Sequence, residues 1–160
     1  MRIVTARTEA LTLPENGAYK ADCLEVVRTR NNATFGAVAV DGKPLAESGR
    51  IVIVMDGDSA IDGSVKTPDR VRYVDWGPRG KNKRPLQEKI WRTNVARLRL
   101  RNVTGGEFTL YPLSVNGIRR EPLPVTREGD ELVFALDTSA KALPRGITPF
   151  FELVNTKNQH

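Results

Sequence analysis

Residues 96–101 read ARLRLR, and this alternation decides the fold class. Side chains on a strand point alternately to its two faces, so Ala96, Leu98 and Leu100 share one side and Arg97, Arg99 and Arg101 the other. The pattern predicts a half-buried strand with its aliphatic face in a core and three guanidinium groups outside. Leu132, Phe134 and Leu136 repeat the same period. In Glu107–Leu113, Phe108 and Leu110 alternate with Tyr111 and Leu113, as in a strand covered on both faces.

Outward from this stretch, strand-like runs recur at Arg2–Thr5, Ala10–Leu13, Leu24–Arg28, Thr34–Val40, Arg50–Met55, Arg70–Val74, Val95–Arg101, Glu107–Leu113, Arg119–Val125, Glu131–Leu136 and Pro149–Val154. Turn residues separate them, among them Asp41-Gly42, Gly105-Gly106 and Asn116-Gly117. No segment keeps a 3.6-residue apolar period over ten residues; Lys83–Arg92 comes nearest and contains Pro85. Without crossover helices parallel pairing has no route. The expectation is an all-β protein, an antiparallel β-sandwich of jelly-roll-like type. It occupies 1–154 as one domain, with 155–160 a frayed tail.

At 160 residues the chain can bury one sizeable core. No apolar run nears the roughly 20 residues that cross a bilayer, and MRIVTARTEA lacks the regions of a signal peptide. No membrane partner is expected, although a segment of a larger exported protein would read the same way. The net charge of +6 is uneven: residues 66–101 hold twelve bases against three acids, a net of +9, and the remainder is −3. Such a region suits a polyanion or the acidic surface of another domain.

Several chemistries are short of residues. His160 is the single histidine and the last residue, and Cys23 the single cysteine, so neither a histidine-assisted nucleophile nor a sulfur–nitrogen metal site is expected. No cofactor and no catalytic residue is assigned. Cys23 reads as a buried reduced thiol. Asp56, Asp58 and Asp62 hint at a calcium loop that lacks a closing glutamate, and an Asp/Gly-rich turn explains them more simply. Tyr73, Trp76 and Trp91 are candidates for stacking on sugar rings, with core packing as the alternative. Arg97, Arg99 and Arg101 are candidates for an interdomain or polyanion contact. Nucleic acid is disfavoured because aromatics make up only 6% of the chain and no reader motif occurs. Asn32-Ala33-Thr34 and Asn102-Val103-Thr104 match the N-glycosylation acceptor pattern.

The stretch FGAVAVDGKPLAESGRIVIVM, residues 35–55, sets two apolar runs around a polar connection. Asp41-Gly42 supplies the turn, Pro44 directs Leu45 inward, and Glu47 and Arg50 are placed to pair. The connection reads as architecture more than as a site. It resembles a motif in the C-terminal β-sandwich of large bacterial glycoside hydrolase-like proteins, where that domain follows an (α/β)-barrel catalytic region. Thr5–Ala10, Asp75-Trp76-Gly77, Ala96–Leu100 and Phe150–Val154 agree in order along the chain. Val40 directly before Asp41, and Asp56–Ser59 after the strand, depart from the pattern. The resemblance implies a non-catalytic accessory domain that packs on the catalytic domain of a larger parent chain and contacts saccharide, since the acids of such hydrolases belong to the barrel. The rivals are an independent carbohydrate-binding module and a polyanion binder using residues 66–101.

Overall fold

The computed structural model describes residues 1–57, 59–61, 65–66, 73–74, 89–91, 93–139, 141–143 and 146–156, with backbone alone at 59–61, 65–66, 73–74 and 89–91. Its strands are β1 (Arg2–Val4), β2 (Thr8–Leu13), β3 (Tyr19–Lys20), β4 (Leu24–Thr29), β5 (Ala33–Ala39), β6 (Arg50–Gly57), β7 (Ser59–Ile61) and β8 (Val65–Lys66). They continue as β9 (Tyr73–Val74), β10 (Lys89–Trp91), β11 (Val95–Arg101), β12 (Phe108–Pro112), β13 (Val125–Glu128), β14 (Glu131–Asp137) and β15 (Phe150–Asn155). One short 3-10 turn spans Leu45–Glu47.

Two compact units share the chain, Met1–Gly57 with Thr93–His160 and, separately, Asp58–Arg92. The first holds two antiparallel sheets, ordered β1-β2-β5-β6-β15-β12 and β13-β14-β11-β4-β3. These pack together as the β-sandwich the alternation predicts; the jelly-roll ordering is not confirmed by these strand orders. In the second unit β7 pairs with β10 and β8 with β9, both antiparallel.

The core lies between the two sheets of the first unit. Leu11, Phe35, Ile51, Ile53, Met55, Leu110, Phe151 and Leu153 come from the six-stranded sheet. Leu24, Val26, Ala96, Leu98, Leu100, Leu132, Phe134 and Leu136 face them from the other. The ARLRLR strand thus lies as its period requires, with β14 on one side and β4 on the other.

One expected strand does not form. Arg119–Val125 contributes only the isolated bridges Leu113↔Arg119 and Leu110↔Leu123, and Val125 alone enters β13. Pro122 and Pro124 have no N–H to give a ladder, which limits pairing there. At the other end β15 runs to Asn155, whose N–H donates to Gly49 O at 2.9 Å. Arg70–Arg72, from the expected strand at Arg70–Val74, lie outside the described residues.

Candidate functional site

The connection between β5 and β6 is a clasp. Gly42 takes the left-handed φ of +85° that the turn needs and a side chain resists. Asp41 Oδ1 accepts from the Ser48 hydroxyl at 2.8 Å and Lys43 N–H at 3.3 Å, while Oδ2 accepts from Gly49 N–H at 2.8 Å. Burial alone would raise the Asp41 carboxyl, but these three donors outweigh it and hold the carboxyl below its ordinary value. Leu45 is buried as expected, and its N–H donates to Ala6 O at 2.8 Å. Glu47 does not pair with Arg50, because Arg50 Nε reaches Glu152 Oε1 at 2.5 Å.

Asn102, which follows β11, carries the clasp across to the second sheet. It is fully buried; its Nδ2 donates to Ser48 O at 2.8 Å, and its Oδ1 accepts from Thr104 N–H at 3.2 Å and from the Thr104 hydroxyl. Val103 N–H donates to Ala46 O at 2.8 Å beside it. The Asn-x-Thr pattern here is therefore a packing motif, its amide nitrogen inaccessible in the folded chain.

Among the described residues Glu152 is the most enzyme-like carboxylate. It is 4% exposed, with Arg50 Nε on Oε1 at 2.5 Å and Arg119 Nε on Oε2 at 2.6 Å. Arg119 lies over the Tyr111 ring, 5.1 Å from its centre. Burial pushes the Glu152 carboxyl up, but the hydrogen bonds and charges of Arg119 and Arg50 prevail and keep it low. An ionised group with both oxygens occupied has no proton to give as a general acid. Asp41 and Glu152 both titrate lower folded than unfolded, so their stabilisation is complete above the ordinary carboxylate range and is lost as pH falls through the folded values. Calorimetric Tm should hold from neutrality to about pH 5 and then fall. Glu152→Gln and Asp41→Asn should each make that fall shallower; an unchanged slope in the double variant contradicts the assignment.

The arginine ladder is divided by its neighbours. Arg97, Arg99 and Arg101 lie on the outer face of the five-stranded sheet, as read from the sequence. Arg99 Nη1 lies 3.1 Å from Glu131 Oε2, and its Nη2 lies 3.6 Å from Glu128 Oε2. Lys20 joins the same network through Glu25 at 3.3 Å and Glu131 at 3.6 Å. The middle of the ladder is thus neutralised from within, and a polyanion would have to displace those carboxylates.

The outer face of the six-stranded sheet is different in kind. Register places Ile3, Ala10, Gly36, Val54 and Phe150 in one row across β1, β2, β5, β6 and β15. The next row is Thr8, Val38, Val52, Glu152 and Tyr111. Ile3 and Phe150 are 44% and 42% exposed. Arg50, 57% exposed along its side chain, and Arg119, 38%, stand at the edge of this apolar field. Sequence reading gave these positions only to strands. The available signal was that Phe35–Val40 and Ile51–Met55 are nearly continuous apolar runs, which mark strands with both faces apolar.

Tyr73 lies in β9 and Trp91 in β10, with only their backbone described, and Trp76 lies outside the described residues. Asp56 is exposed near the end of β6, while Asp58 and Asp62 lie outside the described residues. Cys23 is partly buried, and its thiol is pushed up first by burial and then by the Glu9 carboxylate, so at neutral pH it stays protonated and a poor nucleophile. Comparison with protein-family models, curated proteins and solved structures gave no match.

Proposed function

We propose that this chain is a non-catalytic accessory β-sandwich that docks on the glycoside hydrolase-like catalytic domain of a parent chain. The observation that carries this reading is the apolar row Ile3, Ala10, Gly36, Val54 and Phe150, continued by Val38 and Val52. An apolar sheet face with polar residues at its edge is a surface built to lose water against a partner. Arg50 and Arg119 at that edge favour acidic groups around an apolar centre on the partner. The motif at Asp41–Arg50 supports the choice of partner, and its Asp41 and Ser48 side chains hold the connection itself together. Arg97–Arg101, the contact surface suggested by the sequence, is the weaker candidate because Glu128 and Glu131 already engage Arg99.

The test is titration calorimetry of the purified chain against the catalytic region of the parent chain. Binding is expected, and Val54→Asp should weaken it by about 30-fold, roughly 2 kcal/mol, by placing a charge at the centre of the buried face. No binding, or equal binding by the variant, sinks the proposal. Saccharide contact forms part of the same reading. Retention by polysaccharide in affinity electrophoresis, lost on Trp91→Ala, would assign that contact to the 58–92 unit.

A further inference from the structure

We propose that Arg28, Arg30 and Arg97 form an oxoanion site that takes one sulfate or phosphate group, free or as the ester end of a sugar. Arg28 on β4 and Arg97 on β11 are direct cross-strand partners. Like charges placed opposite one another destabilise a sheet unless something neutralises them. Arg30 adds a third charge, held beside them by its N–H donating to Val95 O at 2.9 Å. With Asn16 and Val95 these arginines line a groove of about 330 Å³. Arg28 Nη2 donates to Asn16 Oδ1 at 3.1 Å, which orients one guanidinium.

No carboxylate comes within ion-pair distance of these three arginines among the described residues, although Arg99 on the same strand has two. The nearest acid in register is Asp137, opposite Val95, and its Oδ1 accepts from Ser139 N–H at 2.8 Å. Forked guanidinium donors converging on one groove suit the several acceptor oxygens of a tetrahedral anion. The site is local. Glu128 and Glu131 on Arg99, and Glu25 opposite it in register, lie farther along the same face and repel an extended polyanion. No aromatic residue lines the groove among the described residues, so the stacking that holds single-stranded nucleic acid is missing.

The experiment follows Tm and calorimetric binding of the whole chain with sodium sulfate, sodium phosphate and glucose monosulfate, at ionic strength fixed with chloride. Saturable binding of sulfate and phosphate is expected, with no effect of chloride or unmodified glucose. Tighter binding of glucose monosulfate than of sulfate identifies an ester-borne group, and equal binding the free ion. Arg97→Gln should leave the anion-free Tm equal or higher, because its repulsion with Arg28 is gone, yet weaken the anion at least about tenfold. Arg99→Gln should retain the response. An absent response, one that survives in Arg97→Gln, or an oligonucleotide bound equally by Arg97→Gln overturns the proposal.

Discussion

Glu9→Ala is expected to cost the sandwich about 3–5 kcal/mol, because two buried backbone donors left unpaired cost about 1–3 kcal/mol each and the lost side chain leaves a void. Glu9 is 1% exposed on β2 and points into the sandwich. Its Oε1 accepts from Cys23 N–H at 2.8 Å and its Oε2 from Leu24 N–H at 2.7 Å, where the chain enters β4 of the opposite sheet. One carboxylate therefore ties the two sheets together and satisfies two backbone donors that no water reaches easily. Alanine leaves both donors unpaired and opens a void. Glu9→Gln keeps one acceptor but turns an NH2 toward the other donor, so a loss of about 1–2 kcal/mol is expected. Urea denaturation checks the order; an alanine variant within about 0.5 kcal/mol of wild type would show that the carboxylate is not a pin.

Asn102→Ala should come close behind, with a loss of about 2–4 kcal/mol. The side chain is fully buried, and both of its functional ends are engaged, with Ser48 O on one side and Thr104 on the other. Arg127 Nη1 donates to its backbone oxygen at 3.0 Å, so the loss should spread into the loop at Gly106, whose O accepts from Arg127 Nε at 3.0 Å. Asn102→Asp is the sharper variant. It keeps the acceptor toward Thr104 but sets a second oxygen, with charge, against the Ser48 carbonyl. It should therefore be no more stable than alanine. A stable aspartate variant would mean that the contact with Ser48 contributes little.

These two residues show what a linear reading can and cannot reach. Burial of Leu98, Leu100, Leu132 and Leu136 follows from a period of two, because strand geometry converts alternation directly into faces. The Asp41-Gly42 turn is equally legible, since backbone conformation there depends on the residue itself. Glu9 and Asn102 have no local mark; a buried polar side chain is set by partners 14 and 54 positions away. Arg50 shows the same limit. Its neighbour Glu47 offered a pairing three residues off, but Glu152 in the adjacent strand offered a buried carboxylate with a second arginine, and the stronger site won. The apolar outer face was legible in principle from the unbroken runs in β5 and β6. The arginine groove was not, because Arg28 and Arg97 meet only through sheet pairing, across a register shift at Arg97/Leu98.

Contact through the outer face of the six-stranded sheet, the proposed mode of action, is read directly by methyl-resolved NMR of the chain titrated with the catalytic region of the parent chain. Methyl signals of Ile3, Val38, Val52 and Val54 should shift or broaden together, while those of Val27 and Val133 in the opposite sheet stay in place. Unmoved signals throughout, or changes confined to Val27 and Val133, would contradict it.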